Sequence, residues 1–213
     1  MADHRLFAAI YDRALAPSEA GGLADRRRQL LGRARGQVLE IGAGTGLNLA
    51  YYPSGPVSSV VALEPDGAMR RHLQTRAEQA PVPVEVAPAS IDDAEFPDGS
   101  FDTIVSTLVL CTVPDPAAAA VRMRRWLAPG GHLLYLEHVR APGWRFYLQR
   151  AATPLWKVAV GGCHLDRDIL GAVRGAGFLI ADCDRFAMPA GGPLLRTCVQ
   201  GMARPLTLPE GAR

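Results

Sequence analysis

Five apolar runs rich in β-branched residues, each followed by a turn and a helix-period stretch, constrain this chain more than any other feature: GQVLEIG, VSSVVALE, VPVEVA, SFDTIVSTLVL and GGHLLYLEHV. Continuous apolar runs of this kind suit strands buried on both faces, and their alternation with helical stretches gives a mostly parallel sheet with helices on both sides. Residues 65–80 and 114–131 read as helices, the second opening at Asp115-Pro116 and closing on Pro129-Gly130-Gly131. Upstream, residues 3–15 and 18–34 read as two helices that form a lid over a ligand cleft. The stretch APGWRFYLQRAATPLWKVAV is aromatic and amphipathic, and the closing segments GFLIADCDRFAM and PLLRTCVQGMA pair as an antiparallel hairpin at the sheet edge. The expectation is an α/β fold with a seven-stranded, mostly parallel sheet.

A chain of 213 residues, 48% of them hydrophobic, fits one domain over 1–213, with N-terminal helices in 1–35 and the core in 36–213. The formal net charge of +2 is small and evenly spread, which argues against a nucleic-acid partner, and Arg26-Arg27-Arg28 reads as the solvated face of a helix. Cys111, Cys163, Cys183 and Cys198 lie far apart without a CxxC pair, so neither a zinc site nor a disulfide framework is indicated and no metal is expected. The opening MADHRLFAAIYDRALAP has the pattern of neither a secretory signal nor a bilayer span. A cytoplasmic protein without an integral membrane segment is the expectation.

The stretch VLEIGAGTGLNLAYYP carries the first chemical signal. A strand ending in Glu40 turns through Gly42, Gly44 and Gly46, and glycine lets backbone approach a ligand that a Cβ would strike. A helix from Leu47 is expected to aim its N-terminus at that ligand. The dinucleotide fingerprint GxGxxG fails because Leu47 stands where its third glycine belongs. A second signal is Glu64, at the end of the next strand, where a carboxylate accepts ribose hydroxyls.

The spacing ExGxGxG resembles that of class I S-adenosylmethionine-dependent methyltransferases. STLVLCTVPDP, RWLAPGGHLLYLEHVRAPGW, PLWKVAVGGCHLDRD and FAMPAGGPLLRTCVQGMA narrow the likeness to the methyltransferase-like family that includes the alkyl thiol S-methyltransferases, and more distantly to ubiquinone and menaquinone C-methyltransferases. The likeness runs from about residue 36 to near the C-terminus. The eukaryotic members carry an N-terminal hydrophobic anchor that this sequence does not show.

The resemblance implies a Rossmann-like fold and S-adenosylmethionine as cofactor. It assigns the cofactor to the glycine turn (Glu40, Gly42, Ala43, Gly44, Gly46, Asn48), to Glu64, Pro65 and Met69 after the second strand, to Ser90 and Ile91 after the third, and to Thr107 and Leu108 at the fourth. The adenine amino contact is left among Ser90, Asp92 and backbone.

The resemblance implies that the acceptor is a small lipophilic molecule, a thiol first. A phenol, amine, quinol carbon or phospholipid headgroup stays open, as does a non-catalytic cofactor-binding role. Thiols are mostly protonated at neutral pH, so a base helps, and His138, at the carboxyl end of the fifth strand, is the first candidate, with His164 the second. Tyr11, Cys111, Trp144 and Cys163 join the two histidines as expected acceptor contacts, and Leu108, Leu110 and Trp156 as further pocket wall.

Overall fold

The structure, a computed structural model, describes residues 5–206, with side chains from residue 10 onward. Two N-terminal helices, α1 (Arg5–Ser18) and α2 (Ala24–Leu31), are joined by a wide turn, Glu19–Leu23, that kinks at Gly22. Strands β1 (Gly36–Ile41), β2 (Val57–Leu63) and β3 (Val84–Ala87) come after them, with α3 (Gly67–Ala77) between the last two. Then come β4 (Phe101–Thr107), α4 (Pro116–Trp126), β5 (Leu127–His138), α5 (Trp144–Ala159), α6 (Ile169–Gly175), β6 (Phe178–Phe186) and β7 (Cys198–Pro205). One sheet runs β3-β2-β1-β4-β5-β7-β6. Its first five strands are parallel, and β7 pairs antiparallel with both β5 and β6.

Strand periodicity divides the core in two. Leu39, Ile41, Ile104, Leu133 and Tyr135 face α4 and α6, meeting Met123, Trp126, Ile169 and Val173. Their neighbours Val38, Val60, Val105, Leu134 and Leu136 face the opposite way and pack on Leu30 and Leu31 of α2 and Leu73 of α3. The chain leaves β1 for β2 and β3 on one side and returns to β4 and β5 on the other, and the adjacent β1 and β4 form the switch point where open sheets of this type place ligands.

Several local expectations change. The turn after β1 leads into only a three-residue 3₁₀ segment, Leu49–Tyr51, instead of the helix expected from Leu47. Side-chain bonds from Glu40 to Asn48 and Tyr52 hold the chain there, and α2 covers that part of the sheet. The helix expected over 114–131 ends at Trp126, because Leu127 already pairs with Phe101 and the Pro129-Gly130-Gly131 stretch lies within β5. Arg27 is not on a solvated face: it is buried between Glu19 and Asn48, whereas Arg26 reaches Asp184 of β6.

Helix α5 inverts the usual pattern. Its buried positions are Gln149 and Thr153, while Trp144, Tyr147, Leu148, Leu155 and Val158 are exposed. Gln149 takes the inward place through backbone bonds, accepting from Ala141 N and donating to Leu194 O. Among the described residues, no helix is long and apolar enough to cross a membrane.

Candidate active site

The three glycines of the turn sit at φ +57 (Gly42), +60 (Gly44) and +87 (Gly46), where L side chains are disfavoured. A Cβ on Gly42 would lie 2.1 Å from Val109 Cγ2, whereas a Cβ on Gly44 would meet nothing within 4 Å. Gly44 therefore presents bare backbone to open space, the cradle a ligand needs. Beneath the turn lies a buried polar network. Asn48 Nδ2 donates to Glu40 Oε1 (2.8 Å) and to Thr107 Oγ1 (2.8 Å), Tyr52 OH donates to Glu40 Oε2 (2.7 Å), and Arg27 donates to Asn48 Oδ1 (2.8 Å). Burial pushes the Glu40 carboxyl up to about 7, against the opposing pull of Tyr52, Asn48 and Arg27.

Those bonds place Glu40 and Asn48 under the turn. Neither lines the large cavity that opens above it, and Glu40 is only 1% exposed. The cavity measures about 540 Å³ and runs from Gly42 and Gly44 past Glu64, Pro65, Met69, Ser90 and Ile91 to Thr107 and Leu108. Ala43 and Asn48 line a small adjoining recess, and Gly46 borders neither, its hydrogen side being filled by Leu73 and Leu49.

Glu64 accepts from Gly44 N through Oε2 and from Asp66 N through Oε1, both at 2.8 Å. A carboxylate has about four acceptor sites, so about two stay available for a pair of hydroxyls. Bare Gly44 backbone beside a carboxylate with spare acceptors fits an adenosyl ligand. Ser90 Oγ donates to Asp93 at 2.7 Å, which leaves the neighbouring Asp92 as the carboxylate that the loop after β3 offers to the cavity. From the lid, Tyr11 lines the cavity and packs beside Ala68 and Met69, and burial raises its hydroxyl to about 12. Asp12 fastens α1 by accepting from Thr45 Oγ1 and Arg76, each at 2.7 Å.

At the other end β4 stops at Leu108, which adopts φ +57, a strained conformation for a side chain that cannot bond its own backbone. Glu137 fixes the two residues beyond it: fully buried, its Oε1 accepts from Ser106 Oγ (2.6 Å), Val109 N and Leu110 N (3.2 Å each). The next residue, Cys111, meets His138 from the end of β5 and Cys163 from the loop after α5. His138 Nε2 lies 2.9 Å from Cys163 Sγ, and the Cys111 thiol donates to Leu108 O at 3.6 Å. The nearness of the Cys111 sulfur, with His138 assisting, holds the Cys163 thiol below its ordinary range, and the same interaction with Cys163, together with burial, drives Cys111 upward.

Tyr11, Cys111, His138 and Cys163 all line this cavity. Trp144 does not join them: it stands at the start of α5, 68% exposed, because the inward positions of that helix go to Gln149 and Thr153. Trp156, three turns on, reaches the cavity instead, together with Val158. His164 is also outside the lining, and its backbone N–H donates to Cys111 O at 2.9 Å, tying the two cysteine loops together. Leu110 is fully buried core. Sequence reasoning misses Glu137 as the loop's anchor and Asp66 as a cavity residue that also caps α3, accepting from Ala68 N and Met69 N. An Asp three residues before the second apolar position of a helix is the available signal for the latter.

Comparison with known proteins bears on family and fold. Residues 39–135 match the methyltransferase domain family. The human thiol S-methyltransferase TMT1B is 33% identical over 189 residues, covering 82% of this chain and 76% of its own length. Human thiol S-methyltransferase TMT1A is 32% identical, over 78% of this chain and 69% of its own. Among solved structures, an S-adenosylmethionine-dependent methyltransferase from Mesorhizobium loti superposes with a TM-score of 0.65 at 20% identity, over 86% of this chain and 97% of that one.

The buried network makes a pH prediction. Glu40 titrates at about 7 when folded against 4.5 when free, so its contribution to stability is full below 4.5 and is lost as pH rises through 7. Replacing Glu40 by Gln removes the ionisation. The melting temperature of Glu40→Gln relative to the parent should therefore rise by several degrees from about pH 5 to about pH 8. A difference independent of pH in thermal scans would show that Glu40 ionises freely in place.

Proposed function

This chain belongs to the S-adenosylmethionine-dependent methyltransferase family that includes the thiol S-methyltransferases TMT1A and TMT1B, and from that membership we propose that its acceptor is a small lipophilic thiol. The observation that carries the proposal is the continuous cavity, which joins the adenosyl cradle to an apolar chamber walled by Leu108, Trp156, Val158, Met188 and Leu195 and ending at Cys111, His138 and Cys163. Bound along Gly44 and Glu64, the cofactor supplies an electrophilic methyl group.

The chain's own part is to orient, to exclude water and to manage one proton. Glu64 fixes the ribose end with the acceptor sites that Gly44 and Asp66 leave open. Tyr11, carried by α1, covers the cavity, and Asp12 holds that helix against Thr45 and Arg76. Orientation of this kind is worth on the order of 7 kcal/mol or more where the reacting atoms are well aligned. The apolar chamber selects for lipophilic acceptors by burial, at about 25 cal/mol per Å². A thiol near its free value of about 8.5 is a thiolate to only a few per cent at neutral pH, so the acceptor end must promote ionisation. We assign that task to His138, which faces the cavity, and give His164 the work of holding the loop. A reducing, cytoplasmic setting accords with four free cysteines, two of them at this site.

Gly44→Leu should leave circular dichroism unchanged, cost roughly 1–2 kcal/mol for a side chain at positive φ, and abolish calorimetric binding of S-adenosylmethionine. Undiminished affinity would remove the turn from the cofactor site. The acceptor is tested by release of S-adenosylhomocysteine, with product mass, over a panel of thiols, phenols, amines and quinols. Methylation confined to thiols is expected; turnover on another class alone rejects the thiol. His138→Ala should slow an alkyl thiol by about tenfold or more and an acidic aryl thiol less, since the latter is already ionised. Equal losses on both would reduce His138 to a wall residue.

A further inference from the structure

Cys111, His138 and Cys163 come from three separate segments, yet their ligand atoms all lie within 4.8 Å of one another, and all three side chains are buried. We propose that they form a zinc site with one open coordination position, at which the acceptor thiol binds as its thiolate. This rests on the thiol reading above and says how that thiol is ionised: His138 acts as a ligand of the ion and does not itself take the proton.

Two thiols and an imidazole are the donor set zinc prefers, and three protein ligands with one exchangeable position are the arrangement of catalytic rather than structural zinc. The soft sulfur donors disfavour magnesium and calcium. Around tetrahedral zinc, ligand atoms stand roughly 3.5–3.8 Å apart. His138 Nε2 and Cys163 Sγ, at 2.9 Å, need to part slightly, and no pair is more than 4.8 Å apart. The loop that delivers Cys163 begins with Gly161 and Gly162, both at positive φ, and is tied to the Cys111 segment by the His164 N to Cys111 O bond at 2.9 Å. Glu137, whose Oε1 serves Ser106, Val109 and Leu110, is not part of the cluster.

Charge favours the same assignment. Two thiolates cancel the two positive charges of the ion, so the buried assembly is neutral and escapes the penalty of an uncompensated charge. All three ligands line the cavity, so the fourth position opens toward the acceptor. There R–SH displaces water and its proton passes to solvent. The sulfur lone pair forms the bond to the methyl carbon while the carbon's bond to the sulfonium breaks, its electron pair staying on the departing sulfur. The thioether formed is neutral and a poor ligand, and water replaces it. The ion stays divalent throughout.

The test uses the full chain, stripped with a chelator and reloaded with Zn(II) or Co(II) alone. Elemental analysis should find about one ion per chain, and the cobalt form should show thiolate-to-metal charge-transfer absorption. An alkyl thiol added without cofactor should shift the cobalt bands, and a phenol should not. Cys111→Ser, Cys163→Ser and His138→Ala should each lower metal content about tenfold or more, while Cys183→Ser, an exposed cysteine outside the cluster, retains it. Circular dichroism identifies any variant that fails to fold, and the remaining two then carry the comparison. No metal on a parent protein that still binds S-adenosylmethionine by calorimetry overturns the zinc site and leaves the thiol reading standing. Equal metal on parent and cluster variants marks an adventitious ion and also overturns it. A bound ion whose spectrum ignores thiols overturns the activating role, and if the acceptor panel then finds turnover elsewhere, it is the thiol reading that has failed.

Discussion

The bond pair from Asn48 Nδ2 to Glu40 and Thr107 is the constraint on which the rest of the site depends. It joins the end of β1, the end of β4 and the segment after the glycine turn at the one place where the sheet changes direction. Arg27 extends the junction to α2 by donating to Asn48 Oδ1, and Glu19 carries it to the connection from α1. Such a network is stable only when every member has partners, since an unpaired buried donor or acceptor costs about 1–3 kcal/mol. Its members are therefore set together, and three glycines at positive φ stay where a freely mobile loop would not hold them. The usual helix after such a turn would place its first N–H groups toward the ligand. Here Glu64, by accepting from Gly44 N and Asp66 N, orients the turn from the neighbouring strand instead.

Local pattern accounts for the parts of the molecule that are legible in its sequence. The alternation of apolar runs with helical stretches encodes the sheet and its antiparallel edge, and the spacing of Gly42, Gly44 and Gly46 with Glu64 encodes the turn and the carboxylate at one end of the cavity. Both depend on residues whose role is set by their own strand or turn. Where tertiary contacts decide, sequence pattern misleads. Leu127 to Gly131 has the composition of a helix stop, but pairing with β4 draws it into β5. Arg27 lies in a run of three arginines and is taken inward because Asn48 and Glu19 need a donor. Trp144 belongs to an amphipathic stretch, but its helix turns the polar Gln149 inward to serve backbone groups of Ala141 and Leu194.

The cysteines show the same limit most clearly. Cys111 and Cys163 are 52 positions apart and His138 lies between them, with no spacing that marks a ligand set. Their convergence depends on three separate features: the left-handed turn at Leu108, the Glu137 carboxylate that gathers Val109 N and Leu110 N, and the glycine pair before Cys163. Glu137 and His138 are consecutive, so strand alternation sends their side chains to opposite faces. One fixes the loop that carries Cys111, and the other meets that cysteine's partner. The end of β5 thus supplies support and chemistry from adjacent residues.

This division of labour explains why strain is tolerated at Leu108. A left-handed non-glycine residue costs on the order of 1–3 kcal/mol and persists only where its surroundings over-determine it. Leu108 N donates to Leu136 O at 2.8 Å, and Glu137 takes up the next two N–H groups, so the backbone on its C-terminal side has no freedom to relax. The return on that strain is a side chain in the cavity wall, between the cofactor cradle and the sulfur cluster. On the thiol reading proposed above, an anionic sulfur and a sulfonium both become neutral, so few polar groups are needed along the path, because charge disappears as bonds change. An apolar wall at Leu108 meets that requirement, whereas a glycine there would relieve the backbone and remove the apolar side chain from the wall.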